Sequence, residues 1–140
     1  MKKLNVIIVY NSLENKILMC KREKEPYKGK YNLVGGKLED GEDSMLAAYR
    51  ELEEETGITK EDIFLTYLMK FEYKLLDFEL QVFAGKLNKE KDLIEEVNKL
   101  YWFDLNENFF DKDKFAGEGN IGHMLCQVQL NKDKIFKGDF

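Results

Sequence analysis

Glu51, Glu53, Glu54 and Glu55 crowd into five consecutive positions of the stretch GGKLEDGEDSMLAAYRELEEETGI, residues 35–58. On a helix, Glu51, Glu54 and Glu55 are spaced i, i+3 and i+4 and fall within an arc of roughly 100°. By the same projection Arg50 and Glu53 point elsewhere. Three carboxylates so placed can converge on one point. Without a partner, each close like-charge pair is unfavourable by roughly a few tenths of a kcal/mol. A hard divalent cation reverses that sign. Mg²⁺, with Mn²⁺ as a substitute, takes oxygen ligands in octahedral geometry and bridges carboxylates to substrate phosphates. Gly35-Gly36 supplies a turn through which backbone groups approach a ligand closely, because glycine has no Cβ. Carboxylates, glycine turn and bound phosphates together suit metal-assisted attack of water on a phosphoanhydride. The bland reading of a Glu-rich helix is a solvated charged face.

Such side chains need a helix held against a sheet. Residues 43–56 are the clearest helix, with Asp43 or Ser44 as the starting cap and Gly57 as the stop. Met45, Ala48, Tyr49 and Leu52 form its apolar stripe. Residues 4–10 and 16–22 read as a hairpin about a turn at Asn11-Ser12 and Glu14-Asn15. Residues 23–30, with Pro26 and Gly29, read as a loop, and 31–34 as a short extended piece. Strands are expected over 64–75 and 78–87 about Leu76-Asp77, and a short one over 101–103. Residues 106–115 are expected to contain a short helix, and 120–130 a final amphipathic one. Strands, helix, strands, helix indicate an α/β (α+β) chain with a mixed sheet and helices packed on its faces. The length of 140 residues fits a single domain over 1–140.

Composition narrows the class. A hydrophobic fraction of 44% with 13% aromatics fits a globular rather than a disordered chain. With 22 basic against 27 acidic residues, the net charge of -5 argues against a nucleic-acid polymer or a membrane surface as partner. An anionic substrate would need a cation and local Lys or Arg to overcome that field. Cys20 and Cys126 lie far apart without metal-ligand spacing, as in a reduced, cytoplasmic protein. MKKLNVIIVYN reads as a first strand rather than a signal peptide. No apolar stretch approaches the roughly 20 residues of a spanning helix.

Gly36, five residues, Glu42, seven residues, then Arg50-Glu51-Leu52-Glu53-Glu54-Glu55-Thr56-Gly57-Ile58 resembles the signature of the Nudix hydrolase family, MutT-like branch. The resemblance implies an α/β/α sandwich with a mixed, mainly antiparallel-flanked sheet. It implies hydrolysis of nucleoside diphosphates linked to another moiety, usually with Mg²⁺, by a monomer or homodimer. Carried over by position, Glu51, Glu54 and Glu55 would bind metal, with the Gly35 carbonyl as a further ligand. Arg50 would hold the carboxylates by ion pairs, Glu42 would tie the loop to the helix, and Gly36 and Gly57 would be structural. A later catalytic or metal-binding glutamate is expected at Glu96, with Glu95 as the alternative.

The same resemblance places Arg22, at the end of the second strand, and Lys37 against the phosphates. Tyr31-Asn32-Leu33-Val34-Gly35-Gly36-Lys37 resembles a stretch of purine nucleoside triphosphatases that clear oxidised nucleotides, in which Asn32 would bond a base edge. Relatives of that branch also read the base with a late acidic pair. Here residues 115–120 (FAGEGN) hold no such pair and offer Glu118 and Asn120. The expectation is a pyrophosphohydrolase of a (deoxy)nucleoside triphosphate, including modified purines, that releases the monophosphate and pyrophosphate. ADP-ribose, a nucleotide sugar or a dinucleoside polyphosphate is the alternative substrate, and a catalytically silent nucleotide sensor is the alternative of another class.

Overall fold

The computed structural model describes residues 1–95 and 97–137. At its centre is β1, Lys2–Tyr10, whose last six residues are all buried. A strand covered on both faces can be apolar without alternation, and β1 is covered that way. On one face Ile7 and Val9 meet Ala48 and Leu52 of α1, Ser44–Thr56. On the other, Val6, Ile8 and Tyr10 meet Ile121, Met124 and Val128 of α2, Asn120–Leu130, and Ile135 of α3, Lys132–Lys137. Helix, sheet and helix therefore stack in three layers.

The sheet has six strands and is mixed. β1 runs parallel to β5, Phe78–Lys86, in register from Lys2↔Phe78 to Tyr10↔Lys86. β5 pairs antiparallel with β4, Thr66–Tyr73, through a 3-10 turn at Lys74–Leu76 closed by Asp77 at φ 56°. β2, Lys16–Lys21, pairs antiparallel with β1, with β3 (Tyr31–Asn32) and with β6 (Leu100–Asp104).

What positions the glycine turn is a parting of strands. β1 meets β2 in register only at Tyr10↔Ile17. Towards the start of β1, the chain leaving β3 takes the place of β2. Ile7 N–H donates to the Val34 carbonyl at 2.8 Å, Asn5 N–H to the Gly36 carbonyl at 2.8 Å, and Leu38 N–H to the Lys3 carbonyl at 2.9 Å. Gly35-Gly36 thus lies where β1 and β2 separate, on the side of α1.

Two features differ from the sequence reading. Residues 106–115 form turns and no helix, because the Asn108 and Asp111 side chains bond the Phe110 and Asp113 N–H groups locally, at 3.1 and 2.9 Å. Phe109 and Phe115 are buried and anchor this loop. The short helix α3 lies beyond the last helix the pattern indicated. Among the described residues no helix is long and apolar enough to cross a membrane.

Candidate active site

Both ends of α1 are locked. Asp43, extended at ψ 134°, accepts the Leu46 N–H at 3.0 Å, and Gly57 at φ 80° returns its N–H to the Glu53 carbonyl at 2.9 Å. Thr56, fully buried, donates its hydroxyl to the Leu52 carbonyl at 2.7 Å and accepts the Ile58 N–H at 3.0 Å. The Tyr49 hydroxyl accepts the Leu65 N–H at 2.8 Å. These bonds fix the last turns of the helix, where the carboxylates are.

Two of those carboxylates rest on the glycine turn. Glu55 Oε2 accepts the Gly35 N–H at 3.0 Å. The Glu51 carboxylate lies directly over Gly36, in the space that a Cβ would fill. Gly35, at φ 154°, is pressed against the backbone of Asn5 and Val6, so a side chain there has no room. Asn5, buried within β1, was passed over in the sequence; its one signal is a polar residue interrupting an apolar run. Its Oδ1 accepts the Gly36 N–H at 2.9 Å.

Arg50 binds the rest together. Its Nε and Nη2 fork onto Glu42 at 2.7 and 2.9 Å, while Nη1 reaches Glu51 at 3.0 Å and Glu54 at 3.2 Å. Nη2 also donates to the Lys37 carbonyl at 3.2 Å. The helical projection that turned Arg50 away is corrected here: its long side chain folds back across the helix surface. The fork geometry is specific to a guanidinium. Arg50→Lys is therefore expected to keep the fold, by circular dichroism, and to lower turnover roughly 10–100-fold, the scale for residues that orient ligands. Steady-state kinetics showing undiminished turnover would remove Arg50 from the site.

The electrostatics follow from burial and crowding. Arg50 holds the Glu42 carboxyl at about 2, and the carboxylates around Arg50 raise its own pKa further. Burial raises Glu51, assisted by Glu54 and Glu42 and opposed by Arg50. Burial pushes Glu55 up to about 7, against the Gly35 N–H and Arg22 and with Glu51 and Glu54. Cys20 lies in the same field. Burial, then Glu55, pushes its thiol up to about 12, leaving it inert.

Among the described residues no three carboxylate, thiol or imidazole groups are gathered tightly enough to hold a metal ion. The reason lies in the partners: Arg50 lies between Glu51 and Glu54, and Glu55 is drawn to Gly35. The donor set nonetheless fits a hard cation. It consists of oxygen ligands, two of them are penalised when charged, and Glu54, its side chain 57% exposed, is held only by its ion pair with Arg50. Glu95 spends its carboxylate on the Leu100 N–H at 2.7 Å, which makes it a brace for β6. Glu96 lies outside the described residues.

A family model for the NUDIX domain matches residues 1–123. The chain belongs to the NUDIX family. It is 29% identical over 135 residues to an 8-oxo-dGTP diphosphatase of Escherichia coli, covering 95% of this chain and 88% of that protein. It is 49% identical over 45 residues to an ADP-ribose pyrophosphatase of Methanocaldococcus jannaschii, a match that spans 32% of this chain and only 27% of that protein. A solved MutT structure, from work on Aliivibrio salmonicida and Vibrio cholerae, superposes with a TM-score of 0.71 at 21% identity, covering 92% of this chain and 98% of that one.

The residues of this NUDIX domain that the resemblance led one to expect at substrate fall into two groups. Arg22 adds positive charge to the field around Glu55 and Cys20. Its Nε also donates to the Pro26 carbonyl at 3.2 Å, closing the loop after β2. Lys37 is exposed and lines a surface pocket with Lys2, Lys3, Glu39 and Glu42. Asn32 Oδ1 is taken by the Leu33 N–H at 2.8 Å, ordinary turn chemistry.

Glu118 and Asn120 form the second group. Glu118 accepts the Tyr27 hydroxyl at 3.1 Å, and Asn120 donates to the Tyr73 hydroxyl at 3.0 Å. Their loop joins the site through β3, because Tyr31 exchanges backbone bonds with residues 114 and 116. His123 is exposed and packs its ring against Phe71.

Proposed function

We propose that this NUDIX domain is a divalent-metal-dependent pyrophosphohydrolase of a nucleoside triphosphate, modified purines included, releasing the monophosphate and pyrophosphate. The observation that carries the reading is the seating of Glu51 and Glu55 on the Gly35-Gly36 turn, with Glu54 held beside them by Arg50. Glu51, Glu54, Glu55 and the Gly35 carbonyl would hold Mg²⁺ or Mn²⁺. When bound, such an ion neutralises phosphate charge and lowers the pKa of water. Arg50 keeps two of the carboxylates in place, and Arg22 offers positive charge to the phosphates beside Glu55. Water adds to phosphorus as the anhydride P–O bond breaks, and its proton leaves to a carboxylate of the cluster.

The triphosphate reading is supported by the full-length likeness to an 8-oxo-dGTP diphosphatase. A second reading, ADP-ribose or a nucleotide sugar, is favoured by the short match to an ADP-ribose pyrophosphatase. Anion-exchange analysis of products from a nucleotide panel with Mg²⁺ and Mn²⁺ separates them. Pyrophosphate from triphosphates is the expected result, two phosphomonoesters from ADP-ribose supports the second reading, and orthophosphate alone contradicts both. Tight nucleotide binding without metal-dependent turnover would instead indicate a sensor.

A further inference from the structure

We propose that Asn5 is a positioning residue that sets the carboxylate site through the glycine turn; this rests on the reading of those carboxylates as catalytic. Asn5 clamps Gly36 from both sides. Its backbone N–H donates to the Gly36 carbonyl at 2.8 Å, and its Oδ1 accepts the Gly36 N–H at 2.9 Å. The Asn5 carbonyl is also the wall against which Gly35 is pressed. Gly36 is the bed of the Glu51 carboxylate, and the Gly35 N–H holds Glu55. One buried amide on the central strand thus fixes one peptide of the turn on which both carboxylates rest.

Its amide nitrogen makes no bond that would account for it. Asn5 is 2% exposed in a strand whose following residues are all apolar and buried. Its Nδ2 is buried with no hydrogen-bond partner, and so is Oε1 of Gln81, its register partner on β5. A bare buried donor is unfavourable, and an apolar side chain would fill the position without one. What the amide contributes is its oxygen, aimed at Gly36.

The test uses the full chain with Asn5→Leu, which keeps the size and loses the acceptor, and Asn5→Asp, which keeps an oxygen towards Gly36. In metal-free protein, amide exchange at Gly36 followed by NMR is expected to speed up about tenfold or more in Asn5→Leu and to stay protected in Asn5→Asp. Turnover is expected to fall roughly 10–100-fold in Asn5→Leu, in kcat rather than KM, and to recover several-fold in Asn5→Asp. An unchanged Gly36 amide in Asn5→Leu overturns the proposal. So does an Asn5→Asp protein as slow as Asn5→Leu despite a protected Gly36. If Asn5→Leu does not fold, the Asp variant alone decides, by protection and kcat together. A Gly36 amide that loosens in a protein without turnover on any nucleotide upholds the clamp and sinks the catalytic reading.

Discussion

Glu55→Gln is expected to remove most turnover, roughly 100-fold or more, the scale for losing one electrostatic partner of a transition state, while making the metal-free protein more stable above pH 7. The two effects share a cause. Glu55 is held at about 7 because burial and its neighbours Glu51 and Glu54 disfavour its charge. A carboxyl raised from an ordinary 4.5 binds its proton more tightly folded than unfolded. The stability it contributes is full below the unfolded value and is lost as pH rises towards 7. The loss is on the order of 3 kcal/mol for a shift of this size. Glutamine carries no such charge, so the melting temperature of the metal-free variant should fall less over that range than that of wild-type, with Glu51 left to titrate. The same proton competes with a cation, so metal affinity of the wild-type, measured calorimetrically, should rise between pH 5 and 7. A variant that loses both activity and metal-free stability would mark Glu55 as structural.

The two adjacent glycines are expected to fail in different ways when each becomes alanine. At Gly36 the new methyl first meets the end of the Glu51 side chain, which can move aside. The fold should survive, with a melting temperature within a few degrees of wild-type, and turnover should drop roughly 100-fold. At Gly35 the methyl meets the backbone of Asn5 and Val6, which cannot yield without breaking the seam between β1 and the chain after β3. That substitution should cost about 3 kcal/mol or more, beyond ordinary overpacking. Thermal melts of both variants, with kinetics on Gly36→Ala, check the contrast. Equal stability losses would show that the turn has no such division of labour.

The parts legible in the sequence are those governed by short spacings. The caps of α1 at Asp43 and Gly57, the stripe through Ala48 and Leu52, and α2 at residues 120–130 lie where the pattern places them. What was hidden depends on long-range contact. No local pattern says that the chain after Tyr31 leaves β2 for β1, because that follows from where two strands part. Periodicity turned Arg50 away, since a projection ignores side-chain length, whereas the family resemblance implied its ion pairs with the carboxylates. The polar Asn5 marks a break in an apolar run, but the sequence does not show its bond to Gly36, 31 positions away. Residues 106–115 misled because apolar Phe at scattered positions mimics a helix face, while Asn and Asp side chains were capturing the backbone.

The parallel neighbour of β1 is β5, and β2, β3, α1 and β4 all lie between them along the chain. During synthesis the first strand must therefore wait until the glutamate helix and the hairpin beyond it have emerged before its longest seam can zip. Contacts so distant along the chain slow folding. A ribosome-bound fragment stopped before residue 78 would carry every carboxylate of the motif and yet present β1 with an unsealed margin, a ready template for misassembly.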